Sequence, residues 1–220
     1  MTESQVLVVF PHPDDEAFGV SGTLAQFTDA GVPVTYACLT LGQMGRNLGN
    51  PPFATRESLP FIREKELERA AEAIGIKDLR KMGYRDKTLE FEKTEDLANM
   101  VGALIDELKP SLIISFYPGY AVHPDHEATA DAVVEAVRRL PDEDRPKLHL
   151  VAFSHDTLDE LGAPDVVVDI TGYEERKMKV LEAHASQTGP MLASLAADSQ
   201  QAEAAHDMWM KTESFYSYPL

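Results

Sequence analysis

The sequence predicts an α/β protein: a Rossmann-like, open, mainly parallel sheet with helices on both faces. Short apolar runs rich in β-branched residues alternate along the chain with stretches of helical periodicity. The strand-like runs are apolar at nearly every position, which is the pattern of strands buried on both faces. The first run, the first helical stretch and the second run are joined by short connections. That makes a βαβ unit, with a right-handed crossover and parallel strands.

The first strand is Val6-Leu7-Val8-Val9-Phe10, and a helix follows over residues 17–30 with Gly31 as its stop. Residues 34–40 form the second strand. Residues 41–52, rich in glycine and proline, are a loop bordering the carboxyl end of the sheet. A helix over 60–74 stops at Gly75, residues 79–82 form a short strand, and 83–86 return to that end as a loop. The helix at 95–108 is ended by Pro110 and leads into the strand 112–116. Residues 117–126 are then a loop and 127–140 a helix. Strands at 148–153 and 166–170 and helices at 174–186 and 191–211 complete the pattern. No repeat, low-complexity tract or linker divides it, so residues 1–220 read as a single domain.

Composition narrows the class of function. The chain has 220 residues, 44% hydrophobic and 26% charged, enough for one full core. Its 20 basic residues against 37 acidic ones give a formal net charge of −17, which argues against nucleic acid or an anionic membrane surface as partner. One cysteine, Cys38, excludes an intrachain disulfide and reads as a small buried hydrophobe. No leader pattern and no apolar run of spanning length is present, so a cytoplasmic location is expected.

In open α/β sheets the ligand crevice lies beyond the carboxyl ends of the strands. There, His12-Pro13-Asp14-Asp15-Glu16 sets an imidazole and three carboxylates beside a buried strand, a polar burden that needs compensation. Imidazole nitrogen and carboxylate oxygen are ligands that hold zinc. Carboxylates at a helix start also satisfy unpaired N–H groups and meet the positive end of the dipole. The cluster His123-Pro124-Asp125-His126 repeats the residue types, the spacing and the position after an apolar strand. Two such clusters ending parallel strands converge on one crevice, which favours a metal loop over a helix cap.

Pro11-His12-Pro13-Asp14-Asp15-Glu16 together with His123-Pro124-Asp125-His126 resembles the zinc-dependent amide hydrolases of the PIG-L/LmbE-like family, which deacetylate N-acetylglucosamine-containing compounds. The resemblance extends over residues 6–187. Thr35-Tyr36-Ala37-Cys38-Leu39-Thr40-Leu41-Gly42, Gly45-Arg46-Asn47 and Asp86-Lys87-Thr88-Leu89-Glu90-Phe91 are similar to one branch, the deacetylases of bacillithiol biosynthesis. That branch removes acetyl from N-acetylglucosaminyl malate. The resemblance implies Zn2+ held by His12, Asp15 and His126, with a fourth position open to water as in catalytic sites. It implies Asp14 as general base, His123 as partner of the developing oxyanion, and Asp125 as the group that orients and charges the His123 ring. Asp125 also reads as an N-cap of the next helix. Either Asp14 or His123 can protonate the leaving amine, and iron or cobalt also suits the ligand set.

For the substrate, the resemblance implies Arg63, whose guanidinium suits a malate carboxylate. The spacing in Arg63-Glu64-Lys65-Glu66 equally fits a solvated helix face. Arg46, in the loop after the second strand, offers a local cation to an anionic substrate. Gln43 stands where many relatives carry glutamate; it can hydrogen-bond a sugar hydroxyl but cannot act as an anion. Tyr120 reads as an aid at the oxyanion, a lid or a packing residue, and His184, Ser186 and Gln187 match a recurrent family segment to which the sequence assigns no role beyond a candidate one in site closure. The expected function is deacetylation of a small N-acetylglucosaminyl conjugate, the malate compound first, another N-acetylglucosaminide or a thiol-conjugate amide second. A noncatalytic sugar- or metal-binding protein is the alternative outside enzymes. The aromatic C-terminal segment at Trp209, Phe215, Tyr216 and Tyr218 reads either as an interface in a homo-oligomer or as core edge.

Overall fold

The computed structural model describes residues 3–195 and 209–220. Its strands are β1 (Val6–Phe10), β2 (Val34–Thr40), β3 (Asp78–Tyr84), β4 (Leu112–Phe116), β5 (Lys147–Val151), β6 (Val166–Asp169) and β7 (Thr212–Ser217). The helices are α1 (Asp15–Gly19), α2 (Ser21–Asp29), α3 (Leu59–Ile74), α4 (Thr94–Leu108), α5 (Pro124–Arg138), α6 (Thr157–Leu161), α7 (Glu174–Ala183) and α8 (Ala185–Leu195). The strands form one sheet in the order β3-β2-β1-β4-β5-β7-β6. The first five are parallel, and β7 runs antiparallel between β5 and β6.

Every residue of β1 is fully buried, and its alternation feeds two layers. Val6, Val8 and Phe10 pack with Leu24 of α2, Leu67 and Ile74 of α3 and Leu181 of α7. Leu7 and Val9 pack with Leu97 and Val101 of α4 and Val133 of α5. Each such side chain contributes roughly 1.5–3 kcal/mol on burial, which fixes the strand between the layers. The chain leaves β1 for β2 on one side and reaches β4 on the other. The loops after β1 and β4 therefore flank a topological switch point, where such sheets bind ligands.

The structure departs from the sequence pattern at several elements. The helix expected at 17–30 is two helices that start at Asp15 and break at Val20, whose φ of −142° and ψ of −4° leave the helical region. The one expected at 174–186 is divided at His184. α5 starts at Pro124, because proline suits a first helical turn. Short α6 and β7 have no counterpart in the prediction. β7 reads Thr-Glu-Ser-Phe-Tyr-Ser, without a continuous apolar run, and it buries an ion pair. Its Glu213 meets Lys177 at 2.8 Å and accepts from the N–H groups of Gly22 and Thr23 at the start of α2. Those extra partners satisfy a carboxylate that would otherwise be costly to bury. Phe215 and Tyr216 are buried in β7, so these two aromatics belong to the core. Of the helix expected at 191–211, residues 196–208 lie outside the described residues. Among the described residues no helix is long and apolar enough to cross a membrane.

Candidate active site

Two loops build the site with different backbones. After β1, Asp14 adopts φ 109° and ψ −22°, a left-handed conformation that strains a non-glycine residue and concentrates at functional sites. The Asp15 carboxylate turns back to accept from the His12 N–H at 2.8 Å. After β4, His123 stays extended, at φ −109° and ψ 135°, and caps α5: its Nδ1 accepts from the Asp125 N–H at 3.1 Å. The N-cap is therefore His123 and not Asp125.

These backbones bring three donors together. His12 Nδ1 lies 3.1 Å from His126 Nε2. One oxygen of Asp15 is 3.3 Å from His126 Nε2, and the other is 3.6 Å from His12 Nδ1. Ligands at about 2.0–2.2 Å around a tetrahedral ion stand about 3.3–3.6 Å apart, so the two ring nitrogens, each with a different oxygen of the Asp15 carboxylate beside it, lie close to the spacing of one coordination sphere. The protons agree with this. His126 Nδ1 faces the Ala121 carbonyl at 3.0 Å and donates to it, which leaves Nε2 bare in the neutral ring. His12 Nε2 donates toward Asp125 at 3.1 Å and Asp86 at 3.2 Å, which leaves Nδ1 bare. Two lone pairs and a carboxylate facing one another repel unless a cation sits between them. The donor set fits a divalent metal.

Without that cation the charge falls on His12. Burial opposes its protonation, but Asp125, Asp15 and Asp86 outweigh burial and raise it to about 10. Burial also works against ionised Asp15, and His126 and His12 overcome it to hold the carboxyl below its usual range. His123 behaves oppositely: burial, then the nearby His12 and His126, lower its pKa and keep the ring neutral.

The Asp125 carboxylate corrects the expected division of roles. It is fully buried, accepts from the N–H groups of Lys87 at 2.7 Å and Leu89 at 3.1 Å, and orients His12 instead of His123. Asp86 shares that task and carries no role in the sequence reading. Its carboxylate accepts from Met44 N–H at 2.7 Å; burial raises its pKa, and His12 and Met44 N–H bring it to about 2. Gln43 accepts from the Asp86 N–H at 3.0 Å, so it braces this loop. Such partners fix the tautomer and direction of a ligating imidazole. The sequence signs of Asp86 are its place after a strand at the crevice end and its position at the head of the 86–91 stretch that carries the resemblance.

Arg63 is not on a solvated face. It is 3% exposed and donates to the Pro13 carbonyl and, at 2.8 Å, to the Gly42 carbonyl. Its guanidinium meets Asp14 at 3.0 Å. Gly42, at φ +59°, is required here, since a Cβ would fall on that guanidinium. Burial pushes the Asp14 carboxyl up to about 6 despite Arg63. Behind Asp14, Glu16 is fully buried and is more than helix-start chemistry. It accepts from Asp14 N–H at 3.2 Å and Tyr36 hydroxyl at 3.0 Å, and pairs with His184 at 2.5 Å.

A cavity of about 250 Å³ opens above these groups, lined by His12, Asp14, Asp15, His123 and His126 together with Arg46, Arg63, Lys87 and Gln187. Lys87 is a third cation that the sequence reading gave no role. Tyr120 does not line it: its hydroxyl donates to Glu160 of α6 at 2.6 Å and its ring packs on Tyr117.

The family model described as PIG-L, GlcNAc-PI de-N-acetylase, matches residues 7–137, more than half of the chain and both loops. The chain belongs to the PIG-L family. It is 52% identical over 218 residues to the probable N-acetyl-alpha-D-glucosaminyl L-malate deacetylase 2 of Bacillus anthracis, covering 99% of this chain and 96% of that one. Among solved structures, it is similar to the N,N'-diacetylchitobiose deacetylase of Pyrococcus horikoshii, with TM-score 0.72, 28% identity, and coverage of 99% and 85%. The 4-carboxy-2-hydroxymuconate hydratase GalB of Pseudomonas putida shares the fold, with TM-score 0.73, 18% identity, and coverage of 98% and 97%. PIG-L deacetylases are metal-dependent, and in this chain histidines and carboxylates around His12 lie close enough together that they could hold such an ion.

Proposed function

We propose that the chain, as a single domain, is a zinc enzyme that removes the acetyl group of N-acetylglucosaminyl L-malate, with His12, Asp15 and His126 as the metal ligands. The observation that carries the reaction is the convergence of two imidazole lone pairs and a carboxylate beside Asp14. When bound, the metal polarises the amide carbonyl and acidifies water. Asp14, raised to about 6, is ionised at neutral pH and close enough to neutrality to take a proton from the attacking water and return it to the departing amine. Arg63 keeps that carboxylate in place. His123 accepts through Nδ1, so its ring proton sits on Nε2 and is free to donate to the developing oxyanion, a role worth about 3 kcal/mol.

The malate conjugate is favoured by the similarity to the Bacillus anthracis deacetylase and by local charge. Arg46, Arg63 and Lys87 border the cavity of a chain whose net charge is −17. The exposed Arg46 guanidinium and Lys87 ammonium suit malate carboxylates, while the Arg63 guanidinium is taken up by Asp14 and two carbonyls. Amine release measured on N-acetylglucosaminyl malate, diacetylchitobiose and an N-acetylglucosaminyl inositol tests the assignment. The malate compound is expected to give the highest kcat/KM, and stronger turnover of either other compound overturns it.

A further inference from the structure

A second cavity adjoins the first. It measures about 420 Å³ and is walled by Phe18, Gly19, Phe116, Val151, Phe153 and Trp209. The two cavities share Asp15 and His126 and, among the described residues, no other lining residue, so they meet at the proposed metal ligands and have otherwise separate walls. Among the described residues, Asp15 and His126 are the only ionisable ones lining the second cavity, and both are the residues it shares with the first. From His126 the wall is continuous: Phe116 stacks on the imidazole at 4.2 Å, and Phe153 lies 5.7 Å from Phe116. Phe18 and Trp209 pack at 5.6 Å on the same cavity. Phe153 is 49% exposed, which leaves the outer end open.

An amide whose carbonyl carbon is attacked at this junction directs its amine side into one cavity and its acyl side into the other. The cavity with Arg46, Arg63 and Lys87 suits the sugar and its anionic substituent. The aromatic cavity suits hydrocarbon, and its volume is far beyond a methyl group, which is about the size of a water at roughly 30 Å³. Its size falls within the range of about 300–1,000 Å³ usual for ligand pockets.

We propose that this aromatic cavity is an acyl-chain subsite and that the protein hydrolyses linear N-acyl groups longer than acetyl. The inference rests on the deacetylase reading and extends its substrate class. In each case the amide C–N bond breaks, the oxygen of water joins the acyl carbon, and its protons leave on the amine and the solvent; a free amine and a fatty carboxylate result.

The test uses the full-length, zinc-loaded protein and glucosaminyl malate acylated with acetyl, butanoyl, hexanoyl or octanoyl groups, assayed by amine release. From acetyl to hexanoyl, kcat/KM is expected to rise two- to fourfold per methylene, fourfold being about 0.8 kcal/mol. Gly19 gives a direct way to close the cavity. A Cβ there meets Val151, another wall of the cavity, at an ordinary 3.6 Å, so Gly19→Leu adds a branched side chain to the cavity wall without a clash at Cβ. That variant is expected to cut the hexanoyl-to-acetyl ratio at least tenfold. Phe153→Ser, at the exposed rim, is a second variant that leaves the core alone and is expected to lower the ratio about threefold. A hexanoyl kcat/KM at or below the acetyl value in the wild type overturns the subsite while leaving the deacetylase reading intact. A chain-length preference untouched by both substitutions overturns its location. Hydrolysis of none of the four amides overturns the deacetylase reading and the subsite with it.

Discussion

The loops after β1 and β4 are near copies in sequence, His-Pro-Asp-Asp and His-Pro-Asp-His, yet equivalent positions do different things. In the first loop the leading histidine, His12, turns Nδ1 into the donor cluster; in the second, His123 caps a helix with the same atom. The third residue of the first loop, Asp14, stays at the cavity beside Arg63. Its counterpart Asp125 is fully buried and crosses to hold His12. Only the fourth residues, Asp15 and His126, act alike, 3.3 Å apart. Backbone entry makes the difference, since the first loop enters its helix through a left-handed aspartate and the second through an extended histidine. A repeated motif therefore transfers position after a strand, and not chemical role.

The sharpest way to break this asymmetry is to remove the two leading histidines in turn. His12→Ala and His126→Ala are expected to lose bound zinc and with it all measurable turnover, by metal analysis of the purified proteins. His123→Ala is expected to retain zinc and to lose about 10²–10³ in kcat, the usual effect of removing an oxyanion donor. Equal zinc loss from all three variants makes the two loops equivalent and removes the proposed division.

The third positions separate next. Asp14→Asn removes the base without touching a donor, so zinc content should stay while kcat falls by about 10²–10⁴. Asp125→Asn changes the partner of His12 Nε2, and the expected loss is about 10–100-fold in zinc affinity, measured by chelator competition. If Asp125→Asn instead leaves zinc affinity unchanged and lowers kcat like His123→Ala, the carboxylate acts on His123 after all.

These roles show where sequence reading stops. Both tetrads are legible because each ends a fully apolar strand with groups too polar to bury without a partner. The parallel order of β1, β2 and β4 follows from the same runs. Asp125 is not legible in its role, because its partner His12 is 113 residues away and the pairing exists only once β1 and β4 are neighbours. Arg63 lies in a charged helical run that looks solvated, and only the packing of α3 beneath the first loop buries it. Tyr120 is close to His123 in sequence, but the chain turns through Val122 at φ 66° and the phenol ends on α6. β7 lacks a continuous apolar run because its Glu213 is matched by Lys177 from a distant helix.

Protonation offers a subtler contrast between the leading histidines. In the metal-free protein His12, raised to about 10, carries a proton at pH 7 on each ring nitrogen, while His123 is held neutral. Zinc must displace the proton from His12 Nδ1. Calorimetric titration of the metal-free protein in two buffers of different ionisation enthalpy should therefore show about one proton released per zinc, in His123→Ala as in the wild type. Zinc uptake with no proton release leaves His12 neutral before binding and removes this distinction.

The smallest effect concerns what holds the strained loop. The Asp14 N–H, at φ 109°, donates to Glu16, which is itself paired with buried His184. Burial lowers the pKa of His184, and Glu16 and Asp14 outweigh burial, so the folded value lies above the ordinary 6.5. The pair's contribution is then fully present below pH 6.5 and declines as pH rises through the folded value. Glu16→Gln keeps the shape but leaves a buried imidazole without its anion. The expected loss is about 2 kcal/mol, or roughly 5 °C in Tm for a chain of this size. By that sign, the gap between variant and wild type is wider at pH 6 than at pH 9. A gap that widens with pH reverses the assignment of the charge to His184, and the first loop is then held by neutral hydrogen bonds alone.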